Sequence, residues 1–233
     1  MPATLRYWQE DPTERPFEVP DDILDALFAI DCKRLPVDHA HALAEALRRV
    51  VPWLATEPGA AVHNIHVAGS QNGWERPASG GDQHLIPSRR TKLVIRVPKG
   101  RLADLEAALG GVTLDLAGCA LTIGAAKTRA LSRESTLFAR QVVTRPGDDE
   151  DAFLTWAVAE LAALDIAVRK ALCGMELMLE TPEGPVRTRS LMLADLAPAE
   201  AVRLQQVGLG PRRDLGCGVF IPHKGIDSAK KGS

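Results

Sequence analysis

The sequence has no apolar run approaching the roughly 20 residues that a membrane-crossing helix needs. Residues 1–20 contain four prolines and several acids, but no apolar core of a signal peptide. Both absences argue against a membrane, and a cytoplasmic protein is expected. There are only four cysteines, Cys32, Cys119, Cys173 and Cys217, and none forms a Cys-x-x-Cys pair. That argues against a zinc ribbon or a disulfide framework and predicts buried, reduced thiols. Aromatic residues make up 4% of the chain, too few for a platform that stacks single-stranded bases; Trp53 and Trp74 alone fall near plausible binding loops. The net charge of −2 gives no global case for a polyanionic partner. A P-loop ending in Gly-Lys-Ser/Thr is missing too.

What is present is enough for a core: 233 residues with 45% hydrophobic content. The charge is segregated. Between residues 86 and 101 lie Arg89, Arg90, Lys92, Arg96, Lys99 and Arg101 with no acid, whereas residues 10–25 hold seven acids against Arg15. Such a basic stretch suits an anionic partner on one face, or guards an ordinary strand edge.

The most distinctive stretch is Gly208-Leu-Gly-Pro-Arg-Arg-Asp-Leu-Gly-Cys-Gly218. Its glycines reach positive φ without a Cβ clash, so the loop can turn sharply and admit another backbone. Bare N–H groups beside Arg212 and Arg213 suit phosphate oxygens; a turn that merely serves the chain path fits equally well. Nucleotide-binding loops follow a strand and open a helix. Here a helix from Pro198 to Val207 comes first and an apolar strand at Val219-Phe-Ile221 follows.

Read in order, the chain gives a strand at 25–32, a helix capped by Asp38, a strand at 61–67 and a long Gly/Ser/Pro-rich loop from Gly69 to Pro87. A strand at 91–97, a short helix at 102–109 and a strand at 119–123 follow. The second half repeats this with a strand at 136–143, a helix opened by Asp148–Asp151, a hairpin of 175–179 with 187–196, the helix, the glycine loop and the last strand. The fold class is α+β, two tandem ferredoxin-like (RRM-like) β-α-β-β-α-β domains. The boundaries predicted are an irregular arm at 1–20, domains at 21–130 and 131–226, and a tail at 227–233.

Two such units with Gly-h-Gly-x5-Gly-h-Gly (h apolar, at least one basic residue among the five) before the last strand resemble the RAMP superfamily of CRISPR RNA-binding proteins. Leu35-Pro-Val-Asp-His-Ala-His-Ala-Leu43, Ser88-Arg-Arg-Thr-Lys-Leu-Val-Ile-Arg96 and Leu215-Gly-Cys-Gly-Val-Phe-Ile-Pro-His-Lys-Gly-Ile226 are similar to the MYXAN subtype of the CRISPR repeat-RNA processing endoribonuclease. The resemblance implies an enzyme that cuts the CRISPR transcript within each repeat. The resemblance also implies that no metal or cofactor takes part: the 2′-OH beside the scissile phosphate would attack, leaving a 2′,3′-cyclic phosphate and a 5′-OH. Its partners would be a repeat stem-loop and, in an assembly, other CRISPR effector subunits. Two further readings stay open, a non-catalytic RAMP subunit that binds guide RNA and a ferredoxin-like protein that binds a phosphate ligand.

The resemblance implies a histidine base near the first helix, which points to His39, with His41 as runner-up. His39 falls in the first helical turn, where the positive helix end favours a neutral imidazole. His63 and His66, three apart on a strand, would face opposite sides and share no metal. His84 falls in the long loop; His223 and Lys224 end the last strand. For RNA the candidates are Arg89, Arg90 and Lys92 on the basic strand, Arg187 and Arg189 on one face of the second hairpin, and Gly208, Gly210, Arg212, Arg213, Gly216 and Gly218 in the loop.

Overall fold

A computed structural model describes residues 17–67 and 83–223. The predicted arm, most of the Gly69–Pro87 loop with Trp74, Lys224 and the tail lie largely or wholly outside the described residues.

The elements in order are β1 (Ile23–Asp31), β2 (Leu35–Pro36), α1 (Ala40–Val50), β3 (Ala61–Val62), β4 (His84–Leu85), β5 (Lys92–Pro98), α2 (Leu102–Leu109), β6 (Thr113–Leu116), β7 (Cys119–Ala130), β8 (Leu137–Val143), α3 (Glu150–Ala163), β9 (Lys170–Leu179), β10 (Val186–Ala194), α4 (Pro198–Val207) and β11 (Ile221–Pro222). The first sheet runs β3-β5-β1-β7-β6 and the second β11-β8-β10-β9, every pair antiparallel. In both, the principal strands stand fourth, first, third, second by order of appearance, as a β-α-β-β-α-β chain arranges them. The fold is tandem ferredoxin-like.

Strand alternation decides each sheet's inner face. On β5, Leu93, Ile95 and Val97 are fully buried with Phe28, Leu43, Leu47, Leu105 and Leu109 beneath α1 and α2. Each such side chain contributes roughly 1.5–3 kcal/mol on leaving water. Lys92, Val94 and Arg96 therefore project from the opposite face. The second core gathers Leu137, Ala139, Leu191 and Leu193 of the sheet under Phe153, Ala157, Leu161 and Leu204 of α3 and α4. All four cysteines are buried and unpaired, and burial pushes the Cys217 thiol up to about 12.

Helix ends follow local chemistry. Asp149 accepts the N–H of Ala152 at 2.8 Å to start α3. Glu200 accepts the N–H groups of Ala197 and Ala167 and an Arg169 bond, which fixes the start of α4. The Arg169 bond is the largest influence holding its carboxyl down at about 2. At α1 the expected cap was Asp38, but the cap position is His39, whose side chain makes no cap hydrogen bond. The expected strand at 61–67 stops after Val62: the His63 N–H still reaches Val94 of β5 at 3.0 Å, but the residues after it bond elsewhere. Asn64 reaches Gln141 of β8 at 2.6 Å and the Ile65 N–H goes to His39.

Candidate active site

The glycine loop is built by contact between its own limbs. The Leu209 N–H donates to the Gly218 carbonyl at 3.1 Å, and the Gly218 N–H donates to Gln141 at 2.7 Å. A Cβ on Gly218 would lie 2.0 Å from the Leu209 oxygen, and one on Gly208 2.6 Å from the Gly218 oxygen. Both glycines also have positive φ, 65° and 75°. Gly216 meets Asn64 of the first half, where a Cβ would come within 2.9 Å; Gly210 packs beside Trp156.

The amides of Gly208, Leu209, Leu215, Gly216, Cys217 and Gly218 all donate to protein carbonyls. The expected row of bare N–H groups is therefore committed within the protein along most of the loop, and its crest, Gly210–Asp214, is the part turned outward. The two arginines diverge. Arg213 turns back and donates to the Gln206 and Val207 carbonyls, closing the end of α4. Burial holds its guanidinium down at about 10. Arg212, in the left-handed region at φ 65°, stands at the crest with Asp214 3.6 Å away.

Below the crest the loop lands on α1. Leu215 and Cys217 pack with Ala40 and Ala44 of α1 and with Leu179 of β9, flanked by Val143 and Val186. Arg48 of α1 reaches Asp214 at 3.3 Å. This small apolar contact brings three elements together: the first turn of α1, the loop crest and the β9–β10 turn. That turn is closed by the Gly184 N–H on Thr181 at 2.9 Å and the Thr181 hydroxyl on Gly184 at 2.7 Å. It holds Glu183, whose carboxyl is kept low by its own N–H and by Thr181, with the charges of His41 and Arg212 adding.

The two α1 histidines have different surroundings. His39 is 3% exposed, and its ring is bonded at both nitrogens. Nδ1 lies 2.9 Å from the Pro36 carbonyl and Nε2 accepts the Ile65 N–H at 3.1 Å. A carbonyl only accepts and an amide only donates, so these bonds require the neutral Nδ1–H tautomer. His41 is part-exposed; its Nδ1 is buried and, among the described residues, has no hydrogen-bond partner. His41 and Arg212 both act on the Glu183 carboxyl.

The other candidates are dispersed. Arg89 and Arg90 are exposed on the turn before β5, and Lys92 pairs with Ala29 on the sheet face away from α1. Arg187 and Arg189 share one face of β10. The first bonds Glu176 at 2.9 Å and the second the Gly174 carbonyl at 3.3 Å. His63 approaches Asp25, His66 approaches Arg140, and the His223 ring rests on Phe138 at 5.7 Å between centroids. His84 is in β4. Among the described residues, no three His, Cys, Asp or Glu side chains form a group that could hold a metal ion, and no helix is long and apolar enough to cross a membrane.

Sequence reasoning missed Glu183. It is an acid in a Pro-Glu-Gly-Pro turn, where only the tertiary fold reveals what lies opposite. It missed Arg96 as well, counted there as one more charge of a basic strand.

Two sheets in the same order, joined through a glycine loop that rests on the first helix, define a tandem ferredoxin-like protein. Residues 24–225 match the family described as Cas6 Crispr. A curated relative, the CRISPR-associated endonuclease Cas6 of Myxococcus xanthus (strain DK1622), is 31% identical over 199 residues, 85% of this chain and 81% of the relative. A solved CRISPR associated protein Cas6 superposes with a TM-score of 0.57 at 8% identity, over 87% of this chain and 100% of its own. The structure from a Cas6-related gene of Pyrococcus furiosus gives 0.53 at 10% identity, over 85% and 98%. These two likenesses speak for the fold. The chain belongs to the Cas6 family.

Proposed function

We propose that this protein is a metal-independent endoribonuclease that cuts CRISPR repeat RNA, with His41 as the general base. The observation that carries the reading is its membership of the Cas6 family, with 31% identity to an endonuclease along 85% of the chain. What favours His41 over His39 is exposure and bonding: His39 is buried and both its nitrogens serve the fold, whereas His41 is part-exposed.

In the reaction, His41 takes the proton of the 2′-OH next to the scissile phosphate. The 2′-oxygen bonds to phosphorus in line with the 5′-oxygen, and the P–O5′ bond breaks. The 5′-oxygen picks up a proton from water, so the products are a 2′,3′-cyclic phosphate and a 5′-OH. A positioned base supplies about 10²–10⁴ in rate. Arg212 stands where a cation can offset the charge that builds on the phosphorane oxygens. Arg89, Arg90, Lys92, Arg187 and Arg189 contribute charge to the RNA backbone, which proteins read in double-stranded regions mainly through shape and phosphates.

The test is cleavage of a labelled repeat RNA by wild type and by His41→Ala. Loss of about a hundredfold or more in the variant supports the reading. Equal cleavage by both removes His41 as base, and no cleavage by wild type favours a subunit that only binds RNA.

A further inference from the structure

Arg96 was grouped by sequence with the basic strand, yet its side chain is fully buried. It touches both halves of the protein. Nε donates to Oδ1 of Asp25 on β1 at 2.8 Å. Nη1 donates to the Gln205 carbonyl at 2.7 Å and to the Phe220 carbonyl at 3.3 Å. Gln205 lies three residues before Gly208, and Phe220 two residues after Gly218. One guanidinium of the first sheet thus grips both limbs of the glycine loop.

Its counter-charge is shared. Asp25 Oδ2 also accepts from Arg129 at 2.8 Å, and His63 Nε2 approaches Oδ1 at 3.5 Å. Gln205 and Gln206 are held further, to the Ser132 backbone and to Asp22. Two cations, Arg96 and Arg213, meet consecutive carbonyls at the end of α4, where the helix dipole favours positive charge.

We propose that Arg96, braced by Asp25, is a positioning residue for cleavage. It fixes the glycine loop against the first sheet and so sets the crest arginine, Arg212, at its working distance from the first turn of α1. Its burial keeps it from the RNA. A lysine keeps the charge but cannot reach Asp25 and two carbonyls from one planar group. The role in cleavage rests on the endoribonuclease reading above; the grip on the loop does not.

The experiment therefore has two arms. Spin labels on Arg49→Cys in α1 and Ala199→Cys in α4, both exposed positions beside buried native thiols, report the distance between the halves without RNA. Arg96→Lys is expected to broaden or shift that distance distribution. At saturating enzyme it is expected to slow single-turnover cleavage at least tenfold, while the Kd for repeat RNA with a 2′-deoxy nucleotide at the cut stays within about threefold. Asp25→Asn, which loosens Arg96 without leaving an unpaired acid, is expected to do both to a smaller degree and serves if the first variant fails to fold. Arg129→Gln, which spares the carbonyl bonds, should change neither. An unchanged distance distribution in both Arg96→Lys and Asp25→Asn overturns the grip. A normal cleavage rate, or an RNA affinity that falls in step with rate, overturns the positioning role. If wild type does not cleave, the function above fails and the distance arm still judges Arg96.

Discussion

His39 Nε2 accepts the backbone N–H of Ile65 at 3.1 Å, which ties the start of α1 to the segment that leaves β3. With the Pro36 bond at Nδ1, this makes His39 part of the frame and leaves the part-exposed His41 to act with Arg212 on the Glu183 carboxyl. His39→Ala removes one buried and one part-buried hydrogen bond and is expected to cost about 1–3 kcal/mol for each buried group left unsatisfied. Chemical denaturation should show that loss, with cleavage retained below the lowered melting temperature. His41→Ala should melt like wild type and lose activity. The reverse pattern would return the base to His39.

The two ends of the glycine loop should differ in tolerance. Gly218→Ala drives a Cβ into the Leu209 carbonyl at a residue with φ 65°, with only backbone in the way. It is expected to cost several kcal/mol through overpacking and strain. Gly210→Ala meets the Trp156 ring edge at 3.3 Å on an exposed crest, so its cost should be closer to about 1 kcal/mol. Thermal melts of the two variants check the order; equal losses would mean that the loop limbs do not cross this tightly.

Adjacent arginines are expected to do different work. Arg213→Met uncaps the Gln206 and Val207 carbonyls and should lower the melting temperature. Arg212→Gln should leave stability nearly unchanged and slow cleavage roughly ten- to a hundredfold. It should also flatten the salt dependence of RNA binding by about one phosphate contact. A large stability loss in Arg212→Gln, with no change in the salt slope, would contradict this division.

Stability should fall with acid in a way His63 controls. Burial pushes the His63 imidazole below its ordinary value despite Asp25 nearby. Burial alone would raise the Asp25 carboxyl, but His63 and Arg96 outweigh it and hold it well below the usual carboxylate range. The folded protein refuses a proton on His63 that the unfolded chain accepts. Its contribution is complete above about pH 6.5 and is lost as pH falls below that value. The Asp25 contribution is lost only below about pH 4. Melting temperature is therefore expected to drop between pH 7.5 and 5, and to drop less in His63→Gln. Parallel curves for the two proteins would contradict this assignment.

Much of the fold was legible in the sequence because its helices and central strands carry strong periodic patterns, as at Leu93, Ile95 and Val97. The chain order and the helix α4–glycine loop–strand sequence were legible for the same reason. What was not legible depends on contacts between distant segments. The sequence does not reveal that Pro36 and Ile65 occupy both nitrogens of His39. Nor does it show that Arg213 turns back to its own helix while Arg212 turns out. Glu183 and Arg96 acquire their places only when the second half closes on the first.

The central claim is the chemistry, cleavage by the RNA's own 2′-OH without metal. The most direct measurement is cleavage of repeat RNA in excess EDTA, with end-group analysis and a parallel substrate carrying a 2′-deoxy nucleotide at the cut. The account predicts undiminished cleavage in EDTA, a 2′,3′-cyclic phosphate and a 5′-OH, and no cutting of the deoxy substrate. A metal requirement, a 3′-OH product, or cleavage of the deoxy substrate would contradict it.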